Sequence, residues 1–164
     1  MSSITSLDEQ RESFISVTSY DGKSLEINRD YLLLSELVKV MLEAEPNLNN
    51  IMLYEEDIGI KDGVILEKIV EFLKLAKGAE PKEIEKPIKS KNMAENTSEE
   101  FATYIDKIIE VHGYPFLFEI IKASNYLQIN FLTQLCCAKI AAEIKGKSIE
   151  DVKKCVDNMV KKSC

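Results

Sequence analysis

The sequence predicts an α-rich α/β fold, and four observations support this prediction. Residues 13–28 read as a β-hairpin, and several later segments repeat apolar residues at helical spacing. The chain has 164 residues, which matches about one domain. Its apolar content of 45 % is enough to form a hydrophobic core.

Composition argues against several classes of function. The chain carries 28 acidic and 21 basic residues, a net charge of −7, so it lacks the basic footprint of a nucleic-acid binder. Its single histidine gives no multi-histidine metal site, and its four cysteines include no C-x-x-C motif. No apolar run approaches the ~20 residues of a membrane span, and the N-terminus does not resemble a secretory signal. We therefore expect that the protein binds no cofactor, metal, nucleic acid or membrane. We also expect it in the cytoplasm and nucleus, which are reducing compartments.

The N-terminal elements follow from turn chemistry and alternation. Residues 1–12 are polar and predict a flexible tail. Phe14 begins a short β-prone run, and the pair Asp21-Gly22 favours the positive φ values of a tight hairpin. Leu25 and Ile27 then alternate with polar residues, which places both on one face of a second strand.

The middle of the chain predicts two helices and a short strand. Residues 30–45 and 64–77 show helical apolar spacing, with Pro46 and Gly78 as their stops. Residues 51–54 are β-prone and read as a buried strand, and the acidic stretch 55–63 reads as a loop. Lysines, glutamates and two prolines dominate residues 79–96, which predicts a mobile loop.

Four further helices are predicted towards the C-terminus. The first begins with a capping box at Thr97, whose hydroxyl would accept the third amide of the helix, and ends at His112-Gly113. The others cover about 115–127, about 131–144, and a segment that begins with a second capping box at Ser148.

The helix at 131–144 has no polar face. Successive residues lie about 100° apart, and its four polar residues scatter over most of the helical wheel. A helix that is apolar nearly all round must be covered on every side. Either it is the central core helix, or one of its faces meets another protein. The residues therefore predict a protein-interaction module.

Four groups of residues could take part in chemistry, but for each of them a structural role is the better interpretation. His112 could act as a general base, but no nucleophile or orienting acid accompanies it in the sequence. Cys136 and Cys137 are adjacent on a helix, a poor geometry for a disulfide, and we expect burial. Acids 55–57 lack the alternate spacing of a calcium loop. Lysines 145 and 147 flank one glycine, which fits a helix end better than a phosphate loop.

The segment Phe116–Val156 resembles the Skp family, the S-phase kinase-associated adaptors of SCF ubiquitin ligases. The motif Asn125-Tyr126-Leu127 and the run Ile144-Lys-Gly-Lys147, followed by an acidic capping box, are specific in combination. The hairpin and the helices at 30–45 and 64–77 resemble the family more weakly. The resemblance covers about residues 14–156.

The resemblance implies a BTB/POZ-type fold, a small sheet covered by helices with a C-terminal helical extension. It divides the chain into a tail (1–12), the BTB/POZ-like domain (13–145, with the mobile loop 79–96) and a partial F-box-binding extension (146–164). It also implies two partners and two surfaces. The positions that match the family's cullin face are Asn125, Tyr126 and Ile140. Those that match its F-box face are Thr133, Cys137, Ile144, Ile149, Val152, Cys155 and Val156.

The chain departs from the family after Val156. The family continues with a stretch rich in Asn, Asp, Phe and Thr and a last helix, whereas this sequence stops at Cys164. We expect either a shortened chain or a divergent member with a smaller F-box interface.

Three alternatives to the adaptor remain open. One is a self-associating scaffold of a chromosome or kinetochore assembly, which would form a homodimer when no F-box is present. Another is an elongin-type adaptor with the same fold. The third is an enzyme that uses His112 or a cysteine. The adaptor itself would have no catalytic residue.

Overall fold

The computed structural model describes residues 13–161, and contacts within the chain divide it into two units, the first ending at Ala79 and the second beginning at Glu80. The tail predicted at 1–12 lies outside the described residues. The strands are β1 (Phe14–Thr18), β2 (Ser24–Asn28), β3 (Asn50–Met52), β4 (Tyr54–Glu55) and β5 (Ile58–Gly59). The helices are α1 (Arg29–Leu32), α2 (Glu36–Ala44), α3 (Gly63–Ala76), α4 (Glu99–His112), α5 (Tyr114–Leu127), α6 (Asn130–Ile144) and α7 (Ile149–Lys161). The predicted α-rich α/β class is confirmed.

The first unit is built on a three-stranded sheet of order β2-β1-β3. Strands β1 and β2 are antiparallel, and β1 and β3 are parallel. Ile15, Val17, Ile27 and Ile51 are buried on its inner face, where α3 packs against β2. Gly22 takes a φ of +91° in the tight turn, as the Asp-Gly pair predicted.

The predicted single helix over 30–45 is wrong, because Ser35 interrupts it. The buried Ser35 hydroxyl accepts a hydrogen bond from the Val38 amide at 3.2 Å, which makes Ser35 the N-cap of α2. Asp62 caps α3 in the same manner through the Val64 amide at 2.8 Å. Helix α3 ends in the left-handed residue Lys77, one residue before the predicted stop.

The predicted loop at 55–63 is also wrong, because a small antiparallel hairpin lies there. Tyr54 pairs with Gly59 and Glu55 with Ile58, while the two residues between them form the turn. A side chain at Gly59, whose φ is +105°, would meet the Tyr54 Cα at 2.5 Å. Only glycine fits there, so this position fixes the hairpin.

The second unit consists of α4–α7 and one short 3₁₀ turn, Met93–Glu95. Helix α6 packs against α4 and α5, and α7 packs against α5. Helix α4 is capped by Ser98 rather than by the predicted Thr97, since the Ser98 hydroxyl accepts from the Phe101 amide at 3.5 Å. Helix α4 ends at Gly113 with a φ of +81°, as predicted.

The segment before α4 is held by one asparagine. The Asn96 Oδ1 accepts from the backbone amides of Lys89 (2.9 Å) and Ser90 (3.2 Å), and its Nδ2 donates to the Ser90 carbonyl at 2.7 Å. Ile84 and Met93 are buried. The mobility expected of residues 79–96, like the domain boundary expected at 145/146, stays a prediction.

Candidate protein-interaction surfaces

The three positions that match the family's cullin face lie on α5 and α6. Asn125 is exposed and Tyr126 is partly buried on the last turn of α5, while Ile140 is partly buried on α6. Gln128 ends α5 in a left-handed conformation, and its amide bonds to the Asn125 carbonyl at 3.2 Å. This end cap fixes the backbone that carries Asn125 and Tyr126.

Two of the predicted F-box positions on α6 are Thr133, which makes a contact inside the protein, and Cys137, whose exposure differs from the prediction. The Thr133 hydroxyl is 2.7 Å from the Ser124 hydroxyl, a contact that joins α6 to α5. Cys137 is exposed, so the burial expected of the cysteine pair is wrong for this residue. Cys136 is buried, and burial raises its pKa well above the ordinary range. Ile144, on the last turn of α6, is partly buried.

Helix α7 carries the other four F-box positions on an apolar stripe that is only half covered. At about 100° per residue the stripe spans about 140° of the helix surface. Exposure differs between its two sides. On one side Met159 is buried (3 % exposed) between Cys155 and Val152, which are intermediate. On the other side Val156 (38 %), Ile149 (78 %) and Val160 (55 %) are exposed.

The covered edge of α7 adjoins a groove of about 400 Å³. Its lining includes Tyr114 of α5, Glu143 of α6, and Cys155 and Met159 of α7. The Lys147 ammonium donates to the Cys155 sulfur at 3.6 Å. The groove therefore marks the seam along which α7 rests on the helices before it.

The Tyr114 hydroxyl in this seam has no hydrogen-bond partner within residues 13–161. Burial raises the pKa of Tyr114 above the ordinary value, and the neighbouring Glu143 carboxylate raises it further. Both effects disfavour the phenolate. No sequence pattern predicts this environment, because Tyr114 and Glu143 come together only when α5 and α6 pack.

An ion pair on α6 was also not predicted. The Lys139 ammonium lies 2.9 Å from the Asp106 carboxylate of α4 and 3.8 Å from the Glu143 carboxylate. The Lys139 side chain is only 13 % exposed. The apolar helix predicted at 131–144 therefore contains a mostly buried charged residue, which joins it to α4.

The residues that could take part in chemistry do not come together as a reactive site in the described part of the chain. The His112 ring stacks on Phe116 with centroids 4.2 Å apart, and it makes no hydrogen bond or ion pair to residues 13–161. Within the same residues, no group of three or more His, Cys, Asp or Glu side chains could hold a metal ion. Among the described helices, none combines the length and the apolar character that crossing a membrane requires.

Comparison with known proteins defines the class. Residues 13–77 match the Skp1 POZ model, described as the tetramerisation domain of the Skp1 family. The S-phase kinase-associated protein 1 homolog of Tetrahymena thermophila is 34 % identical over 142 residues, which cover 85 % of this chain and 79 % of that protein. The SCF subunit sconC of Arthroderma otae, named as part of an E3 ubiquitin ligase complex, is 32 % identical over 149 residues (85 % and 79 %).

A plant relative agrees at lower identity. SKP1-like protein 3 of Arabidopsis thaliana is 28 % identical over 143 residues, which cover 85 % of this chain and 80 % of that protein. The matched region includes a POZ domain, and the helices of the second unit extend beyond it. The chain belongs to the Skp1 family. The resemblance predicted from the sequence is therefore confirmed.

Proposed function

We propose that this chain is the adaptor subunit of an SCF-type E3 ubiquitin ligase and joins a cullin scaffold to F-box substrate receptors. Relatives that align over 85 % of the chain are named as SCF subunits. The structural observation that carries the proposal is the half-covered stripe of α7, because a helix that leaves Ile149 and Val156 exposed has apolar surface to offer a partner.

The adaptor performs no chemistry of its own in this proposal. It acts in the cytoplasm and nucleus and binds neither nucleic acid nor membrane, in keeping with its net charge of −7. Its contribution is geometric. Two protein-binding faces on packed helices hold the receptor at a fixed distance from the scaffold.

The cullin face in this proposal comprises Asn125, Tyr126 and Ile140. A tyrosine suits such a face because its ring supplies contact area and its hydroxyl gives direction. The F-box face comprises Thr133, Cys137 and Ile144 on α6 and the exposed part of the α7 stripe. Since the Thr133 hydroxyl bonds to Ser124, Thr133 would contribute through its methyl group.

The first experiment separates the two faces. Tyr126→Ala should weaken binding to a purified cullin N-terminal domain by roughly 30-fold, the loss expected for a contact worth ~2 kcal/mol. Binding to a purified F-box domain should not change. Both affinities are measured by isothermal titration calorimetry. Ile140→Lys tests the same face from α6.

Asn125→Ala and Asn47→Ala form a matched pair of controls. Both asparagines are exposed, but only Asn125 belongs to the proposed face. Asn125→Ala should reduce cullin affinity and Asn47→Ala should not. If Tyr126→Ala reduces both affinities equally while the circular dichroism melt is unchanged, the assignment of two separate faces is wrong.

Self-association is a second candidate, favoured by the 78 % exposure of Ile149. A stripe without its F-box partner could pair with the same stripe of another copy as a homodimer. Sedimentation velocity would then show a dimer that an F-box domain dissociates. A tight dimer that is insensitive to the F-box domain would instead support a scaffold role.

A further inference from the structure

An exposed apolar patch in the first unit has no role in the proposed function. Tyr20, Met52 and Tyr54 form it, and we refer to it as the tyrosine patch. The two tyrosine rings meet edge to face with centroids 5.3 Å apart, and the Tyr54 hydroxyl donates to the Met52 sulfur at 3.8 Å. Tyr20 is 62 % exposed and Met52 is 50 % exposed. Tyrosine and methionine are the residue types that protein interfaces favour.

The tyrosine patch is fixed by backbone hydrogen bonds. Met52 pairs with Thr18 across strands β1 and β3, and the Tyr20 amide donates to the Ile60 carbonyl at 2.9 Å. Tyr54 lies in strand β4, whose pairing with β5 requires Gly59 opposite it. A partner that binds here therefore meets an ordered surface and loses little conformational entropy of this chain.

An acidic turn adjoins the patch. Glu55, Glu56 and Asp57 follow Tyr54 directly, all three are exposed, and none forms an ion pair with a residue between 13 and 161. Residues 54–62 carry four acids and a single base, Lys61. A concentration of one sign of charge beside an apolar contact selects a partner of the opposite charge.

We propose that the tyrosine patch is a docking site for a basic segment of a partner protein, with an arginine against Tyr20 and the acidic turn. An arginine guanidinium can stack on a tyrosine ring and also pair with a carboxylate, so one residue type satisfies both features. A second copy of this chain fits poorly, because symmetric pairing would bring two acidic turns together.

Fluorescence anisotropy tests the proposal with a defined probe. The probe is a labelled peptide with two arginines on each side of a leucine, and the reference is the same peptide with glutamates in place of arginines. The full chain should bind the arginine peptide and not the glutamate peptide. Combining Tyr20→Ala with Met52→Ala should weaken binding at least about tenfold. Both side chains are at least half exposed, so the melting temperature should not change.

Two triple variants separate the local charge from the net charge. Replacing Glu55, Glu56 and Asp57 by Gln, Gln and Asn should weaken binding at least about tenfold. The same neutralisation of Glu80, Glu83 and Glu85, three exposed acids outside the patch, should have no effect. Equal weakening by both variants overturns the proposal, as does a failure of the unmodified chain to bind the arginine peptide. A dimer that Tyr20→Ala dissociates would also overturn it, in favour of a second copy.

Discussion

Helices α6 and α7 are both rich in apolar residues, yet they differ in how many of their side chains are buried. Six side chains of α6 are buried, whereas of the α7 side chains 149–160 only Met159 is buried. Helix α6 packs against α4, α5 and the 3₁₀ turn Met93–Glu95, while α7 packs against α5 on one side of its stripe. The comparison shows that apolar content alone does not distinguish a core helix from a binding helix. In these two helices, the number of elements packed against each helix determines how much of its apolar surface is buried.

The largest expected effect tests the core role of α6. Leu135 is fully buried, so Leu135→Ala should lower the free energy of unfolding by about 2–5 kcal/mol through lost burial and a residual cavity. Urea denaturation followed by circular dichroism measures the change. Val111→Ala is the matched control, because Val111 is 71 % exposed on α4 and should change stability by less than about 0.5 kcal/mol. Equal effects of the two changes would contradict the core assignment.

The next effect tests the binding role of α7. Ile149→Asp should leave stability nearly unchanged, because its side chain is 78 % exposed and an acid suits the first turn of a helix. It should nevertheless weaken binding to an F-box domain by at least about 30-fold if that edge is buried in the complex. Calorimetric titration gives the affinity, with Val111→Asp as the control. Unchanged F-box affinity for Ile149→Asp would remove this edge of α7 from the interface.

The smallest effect concerns Tyr114, at the seam between the two helices. Because the folded pKa is raised, the unfolded chain loses the phenol proton first, at a pH of about 10. The contribution of this group to stability is complete below that pH and decreases as the pH rises further. Tyr114→Phe should therefore lose less stability between about pH 9 and 11 than the unmodified chain. Parallel urea curves at each pH measure the difference, and identical slopes would contradict it.

Local chemistry explains what could be predicted from the sequence. The hairpin at 13–28 follows from Asp21-Gly22 and the alternation after it. Helices α3 and α5 follow from apolar spacing, with no glycine or proline after their first two residues, and α6 follows from an apolar stretch without either. These signals act within a few residues of one another. The cap at Ser98 was missed by one position, because Thr97 and Ser98 are both good caps and only the folded backbone decides between them.

Long-range contacts explain what could not be predicted. The burial of Lys139 depends on Asp106, which lies on another helix. The hairpin β4–β5 turns at Glu56-Asp57, a pair that carries no glycine signal. The surfaces proposed for cullin and F-box binding came from family resemblance and not from periodicity. The structure adds the difference in exposure between the two sides of the α7 stripe, which no linear pattern shows.

The partial docking of α7 also has a kinetic consequence. Met159 already holds the helix against α5 before any receptor arrives, so part of the ordering entropy of this segment is lost during folding and not during binding. A receptor then binds a helix that is already formed, so binding does not require a disordered segment to fold first. Met159 would thus influence how fast a receptor is captured without touching the receptor itself.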